Sequence, residues 1–140
     1  MSKAKARFKN WKKPKIRHDK PTKYNWLVLR PEGLRLGKNT DIGAYTLIAA
    51  HYGVEIEDDV QVGSHCSLYS YSTIDDKKGK VLLKKNCRIG THSSVMPGVT
   101  VGENTVVGAH SFVNRSLPPN VIAAGAPVRI LRKLPRKPQA

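Results

Sequence analysis

Aliphatic residues recur at every sixth position along most of this chain. Leu83, Ile89, Val95, Val101, Val107 and Val113 form one uninterrupted series, Leu36, Ile42 and Ile48 a second, and Ile56, Val62 and Leu68 a third displaced by two residues. The fifth residue of each six is small or β-branched at Thr40, Thr46, Val60, Cys66, Ser72, Cys87, Ser93, Val99, Thr105 and Ser111, with Tyr52 and Leu117 as exceptions. The second is often glycine, at 37, 43, 63, 90, 102 and 108. A helix repeats its apolar face at about 3.6 residues and a half-buried strand at about two, so neither accounts for this period. A short strand followed by a tight corner does. Three such units close a triangular coil of roughly 18 residues, and stacked coils pair strand on strand about 4.8 Å apart, burying the aliphatics in columns. The predicted fold is therefore all-β, a parallel β-helix. An antiparallel sheet turning at the glycines is the competing architecture, and its alternation at period two is outmatched over most of 36–117.

Two stretches break the period. "HYGVEIEDD" lengthens the turn between the first and second coils by two residues. "IDDKKGKV", residues 74–81, separates Leu68 from Leu83 and reads as a polar loop thrown out from a corner. Insertions in repeat proteins gather over the functional surface, so this loop is a candidate wall of a site. "SLPPNV", residues 116–121, is expected to end the last coil, because Pro118 and Pro119 cannot donate to another ladder.

The 140 residues suffice for one domain. Their net charge of +15 is confined to the ends: residues 1–23 hold ten Lys/Arg against Asp19 alone, 129–137 hold five against no acid, and 24–128 set ten bases against nine acids. The expected division is a basic N-terminal arm over 1–23, a β-helix domain over 24–128 and a basic C-terminal tail over 129–140. Two solvated, flexible arms are the simplest reading of such ends. The functional reading is peripheral contact with an anionic partner or surface, with Phe8 and Trp11 as apolar anchors. No groove-reading helix or stacking platform accompanies the charge, so specific nucleic-acid binding is not expected. The sequence has no apolar run long enough for a membrane-crossing helix and no hydrophobic centre of a secretory signal, while Cys66 and Cys87 fall on inward positions without metal-site spacing. A cytoplasmic location with reduced thiols is the resulting expectation.

The block "IGTHSSVMPGVTVGENTVVGAHSFVNRSLPPNVIAAGAPVRILRK" resembles the C-terminal portion of the hexapeptide-repeat acyltransferases, and the likeness extends over about residues 34–133. The resemblance implies a left-handed parallel β-helix of triangular coils with a short C-terminal extension. Its hand comes from the family, because parallel crossovers otherwise turn right. It also implies acetyl transfer from acetyl-coenzyme A as co-substrate, without a metal, in homotrimers whose sites lie between subunits. "YGVEIEDDVQVGSHCSLYSYSTIDDKKGKV" is similar to the branch that accompanies sugar-nucleotide and surface-polysaccharide synthesis. That similarity implies a sugar or sugar-nucleotide substrate, with N-acetylation of an amino-sugar nucleotide first and O-acetylation of a saccharide second. The non-enzymatic alternative is a trimeric β-helix scaffold whose basic arms recruit an anionic partner.

Acyl transfer from a thioester needs little machinery: a positioned acceptor, a group to take one proton, and N–H donors for the oxyanion. Histidine is the natural base near neutral pH. His51, His65, His92 and His110 each hold the fourth place of their six and should point outward, His65, His92 and His110 on one face in successive coils and His51 on another. His65, one coil before the loop, is the first candidate for the catalytic base, and His51, beside the two-residue insertion, the second. The basic histidine of the galactoside and maltose acetyltransferases comes within the loop segment, where this chain has Thr73, Asp75 and Asp76 instead. Those three and Tyr69 are candidate substrate contacts; for the two acids, solvation beside Lys77 and Lys78 is the alternative.

For the coenzyme, Gly90, Thr91, His92, Gly108 and Ala109 mark the last coils, where small outward positions, Gly102 among them, would let a pantetheine arm lie against backbone. The resemblance places Gly125, Ala126 and Pro127 near the adenine, and Arg129, Arg132 and Lys133 near the phosphates, as a polyanion demands. Zinc-binding β-helix carbonic anhydrases resemble the fold too, but they use two histidines five residues apart, and the body histidines here are separated by 14, 27 and 18. No metal is expected.

Overall fold

The computed structural model describes residues 8–135. Its strands form three parallel sheets that are the sides of a prism. The first face stacks Leu27–Leu29, Leu47–Ala49, Ser67–Tyr69, Ser94–Val95 and Phe112–Val113. The second stacks Leu34–Leu36, Val54–Ile56, Val81–Leu83 and Thr100–Val101. The third stacks Asp41–Ile42, Gln61–Val62, Arg88–Ile89, Val106–Val107 and Val121–Ala124, closed by Arg129–Lys133. Each strand is two to five residues long because the corner follows at once.

Register confirms the period of six as three vertical columns. Val28, Ile48, Leu68, Val95 and Val113 lie directly above one another on the first face. Leu36, Ile56, Leu83 and Val101 do so on the second, and Ile42, Val62, Ile89, Val107 and Ala123 on the third. Apart from the partly buried Leu36 at the N-terminal end, these side chains are buried. Each full burial is worth about 1.5–3 kcal/mol for a large aliphatic side chain, which explains why the columns tolerate no polar member. The small fifth residues turn inward at the corners, and their hydroxyls are satisfied by backbone carbonyls: Thr46 Oγ1 donates to Gly63 O at 2.8 Å and Thr105 Oγ1 to Pro118 O at 2.6 Å.

Five expectations need correction. The first face begins one rung earlier than the period suggests, at Leu27–Leu29, because Val28 precedes Leu36 by the same eight residues that separate Ile48 from Ile56. The polar loop is a hairpin of Tyr71–Ser72 against Lys77–Lys78, so Val81 is not in it but is fully buried in a strand; Ser70, not Ser72, takes the innermost place and donates to Ala49 O at 2.6 Å. Pro118 and Pro119 do not end the helix: they occupy a corner, where no ladder donor is required, and Val121–Ala124 pairs in parallel with the coil below. Arg129–Lys133 is no free tail but an antiparallel strand on Val121–Ala124. The described part of the N-terminal arm is likewise folded, with Trp11 Nε1 donating to Thr40 O at 2.8 Å and Ile16 packed on the core.

Candidate active site

The corner between the third and first faces repeats one four-residue unit: Gly43-Ala44-Tyr45-Thr46, Gly63-Ser64-His65-Cys66, Gly90-Thr91-His92-Ser93 and Gly108-Ala109-His110-Ser111. The third residue is left-handed each time, with φ of 65°, 56°, 58° and 58°, a conformation that histidine tolerates better than most side chains. The glycine is required by the coil above it. A Cβ on Gly43 would stand 2.3 Å from Ser64 N, and one on Gly90 would stand 2.5 Å from Ala109 N. Gly102 meets Pro119 N at 2.3 Å in the same way and is buried. These glycines therefore let backbone stack on backbone, and the expected channel for a pantetheine arm is not what requires them. Ala109 and the histidines are what the edge presents to solvent.

His65, His92 and His110 form the column that their spacing predicts. Ring centroids of His65 and His92 are 4.7 Å apart with planes at 4°, those of His92 and His110 4.9 Å apart at 15°, and Tyr45 extends the column at 5.2 Å from His65. The separations are those of stacked strands. All four rings are exposed. Tyr45 occupies the same fourth place as the histidines, so its position on this edge is legible in the sequence although it is no candidate base.

Thr91 fixes the central ring. Its hydroxyl donates to Ser64 O at 2.7 Å, which spends its one hydrogen, and lies 3.1 Å from Ser64 Oγ and 3.0 Å from His92 Nδ1. With that hydrogen directed to Ser64 O, Thr91 Oγ1 offers lone pairs to its other two neighbours, an arrangement that favours a proton on His92 Nδ1 and an outward lone pair on Nε2. Nitrogen-correlated NMR of neutral His92 should show the Nδ1–H tautomer, and Thr91→Val should let the Nε2–H form appear. Retention of the original tautomer in that variant would dissociate it from Thr91.

His51 lies at the corner between the first and second faces, beside the hairpin. Its ring is 5.8 Å from Tyr71, Tyr71 is 5.5 Å from Tyr52, and Lys78 Nζ sits 5.5 Å over Tyr52 and 5.8 Å over Tyr71. The Tyr52 phenol and then Asp76 raise the Lys78 pKa. At the hairpin tip the Ser72 hydroxyl, ahead of Lys77, holds Asp75 below the usual carboxylate range, and exposed ion pairs join Asp75 to Lys77 at 3.8 Å and Asp76 to Lys78 at 3.9 Å. Within one chain the hairpin approaches His51, not His65: the first face lies between His65 and the hairpin root, with Tyr69 near the latter. The expectation that this loop covers an acceptor beside His65 fails for a single chain for that reason. Thr73, Asp75 and Asp76 are together at the tip, one face away from the histidine column.

The C-terminal end of the column meets the turn expected near the coenzyme. Gly125 N donates to Ser111 Oγ at 3.1 Å and Phe112 N to Gly125 O at 2.9 Å, which seats Gly125, Ala126 and Pro127 on the coil that carries His110. Arg129, Arg132 and Lys133 follow on the exposed closing strand. Among the described residues no group of three His, Cys, Asp or Glu is placed to hold a metal ion, and no helix is long and apolar enough to cross a membrane.

Both cysteines are buried, which removes them as nucleophiles. Burial pushes the Cys66 thiol up, and it pushes Cys87 up to about 12, with Glu57 adding to the effect. The folded state thus keeps a proton that the unfolded thiol releases near pH 9. Stability is unaffected by Cys87 below that pH and falls above it, by up to about 1.4 kcal/mol per pH unit until about pH 12. Denaturant melts of wild type and Cys87→Ala between pH 8 and 10.5 should diverge in slope; parallel curves would show that the thiol ionises in place.

Known proteins share both the repeat and the shape. The family described as bacterial transferase hexapeptide (six repeats) matches residues 80–115. The putative colanic acid biosynthesis acetyltransferase WcaF of Escherichia coli (strain K12) is 32% identical over 140 aligned residues that cover 79% of this chain and 76% of WcaF. The chain belongs to the hexapeptide-repeat acetyltransferase family. The left-handed parallel β-helix expected from the sequence is the fold of this family. The galactoside O-acetyltransferase of E. coli (strain K12) is 33% identical over 110 residues, 72% of this chain but 54% of that enzyme, so this family member spans about half the length of that relative. Among solved structures, a maltose O-acetyltransferase from Clostridium difficile 630 superposes with a TM-score of 0.75 at 27% identity, covering 80% of this chain and 65% of that one. A serine-to-alanine mutant of AntD, an N-acyltransferase from Bacillus cereus, in complex with dTDP-4-amino-4,6-dideoxyglucose and coenzyme A, does so with a TM-score of 0.67 at 26% identity, covering 82% and 80%.

Proposed function

We propose that this family member transfers an acetyl group from acetyl-coenzyme A to a sugar, with the amine of an amino-sugar nucleotide as preferred acceptor and a saccharide hydroxyl as the second class. The observation that carries the reading is the exposed histidine column, with Nδ1 of its central ring 3.0 Å from the Thr91 hydroxyl, ending at a turn and a strand that bear Arg129, Arg132 and Lys133. His92 Nε2 takes the acceptor's proton as the amine or hydroxyl attacks the thioester carbonyl. The tetrahedral intermediate collapses with breakage of the C–S bond, and the thiolate recovers the proton from the imidazolium. Counting places His65 ahead of His92; the Thr91 Oγ1 acceptor beside His92 Nδ1 is the reason to reverse that order.

A single column on an edge is not a cleft, and the reading requires a second copy against it, most simply in a homotrimer. Ile130 and Leu131, 44% and 63% exposed on the closing strand, and Phe112, 39% exposed, suit burial in such a contact. Reduced, buried thiols and the two substrates suit the cytoplasm. Free thiol release from acetyl-coenzyme A, followed against amino-sugar nucleotides, simple sugars and amines, tests the assignment. Release that depends on an amino-sugar nucleotide is the expected result; release with none of the panel above hydrolysis would overturn it.

A further inference from the structure

The folded part of the basic arm makes a second feature that acetyl transfer leaves unused. Between the arm and the first coil lies a cleft of about 500 Å³ lined by Phe8, Trp11, Lys12, Lys23, Tyr24 and Ala44, among others. Lys12, Pro14 and Lys23 also line a second concavity of similar size, which adds Lys13, Lys15, Arg17 and Lys20, with no acid in its wall. The first is aromatic, the second cationic. Asp41 also lines the aromatic part.

The cleft is held in shape. Trp11 is pinned by the hydrogen bond to Thr40 O, Trp26 is buried behind the wall, and Lys23 Nζ lies 5.0 Å over the Tyr24 ring. The arm runs back along the prism, where Asp19 N donates to Val28 O at 3.0 Å and Arg30 N donates to His18 Nδ1 at 3.0 Å. The six cations are therefore gathered at one place instead of being spread along a solvated chain. Ala44, in the wall, is the residue before Tyr45, which heads the histidine column 5.2 Å from His65.

We propose that this paired cleft binds the nucleoside diphosphate of the acceptor, base between the aromatic side chains and phosphates on the lysines, so that the attached sugar extends past Tyr45 toward the histidines. An aromatic slot beside a cluster of cations matches a ligand with one flat heterocycle and a short run of negative charge. A simple sugar would leave the cations without a counter-charge. The coenzyme carries the same chemistry, but the cations expected for it, Arg129, Arg132 and Lys133, are on the closing strand at the other end of the column. The inference rests on a nucleotide-linked acceptor and names where its nucleotide is held.

Titration of the full chain with thymidine and uridine diphosphates, inorganic pyrophosphate and coenzyme A, read by calorimetry and tryptophan fluorescence, tests this without requiring turnover. Saturable binding of a nucleoside diphosphate is expected, weakened roughly tenfold or more by K12A/K23A and by W11A but retained by W11F, and falling with salt. The lysine variant touches only exposed side chains, so it tests the site even if W11A undocks the arm. Pyrophosphate binding as tightly as the nucleotides, displacement by coenzyme A at this site, or indifference to the lysine substitutions would each overturn the proposal. Intact nucleotide binding with no acetyl transfer would instead count against the proposed reaction and leave the site standing.

Discussion

Replacing His92 by alanine should lower kcat with the preferred acceptor by about a hundredfold or more and leave the KM for acetyl-coenzyme A little changed, the scale usual for loss of a general base. The reasoning is local. His92 has a neighbour, Thr91 Oγ1 at 3.0 Å from Nδ1, whose hydrogen is directed to Ser64 O and which therefore favours a proton on Nδ1. Thr91→Val keeps the ring and its stacking but divides the neutral imidazole between two tautomers, so a smaller loss, on the order of a few-fold, is expected. His65→Ala removes one stacking partner at 4.7 Å and should cost less than tenfold. Steady-state kinetics of the three variants decides the matter: near-normal turnover of His92→Ala with a hundredfold loss in His65→Ala would return the role to His65.

Gly90→Ala, which adds a single methyl group, should destabilise the fold by about 3 kcal/mol or more. The new Cβ would lie 2.5 Å from Ala109 N, 2.8 Å from Gly108 C and 2.9 Å from Ala109 Cα. All three are backbone atoms of the next coil, and no side chain can rotate away. Relief requires the coils to separate, which lengthens the bond from Gly90 N to Val107 O, now 2.8 Å, and disturbs the stacking of His92 on His110. Urea melts at fixed protein concentration measure the effect; a midpoint equal to wild type would mean that the corner can open without loss.

How much of this was legible varies from residue to residue. The inward places of Leu83, Ile89, Val95 and their partners were readable because burial at every sixth residue is a local consequence of a strand and a corner. His65, His92 and His110 could be assigned to one edge by counting alone. Val28 was missed because an eight-residue step hides the period, and Val81 because lysines and a glycine before it resemble loop. The arm was read as solvated since its charge says so, whereas Trp11 and Ile16 dock it through contacts with residues far along the chain. Thr91 was placed with the coenzyme because nothing in a sequence reveals which oxygen faces an imidazole.

The prism is local in origin: the period, the three columns, the inward small residues and the outward histidines all follow from which neighbours along the chain are apolar. The surroundings of those histidines came from the three-dimensional packing instead. The contact of Thr91 with Ser64 and His92, the distance of the hairpin from His65, and the closing of an arm over an aromatic slot depend on atoms brought together across whole coils. Such contacts leave no period behind them.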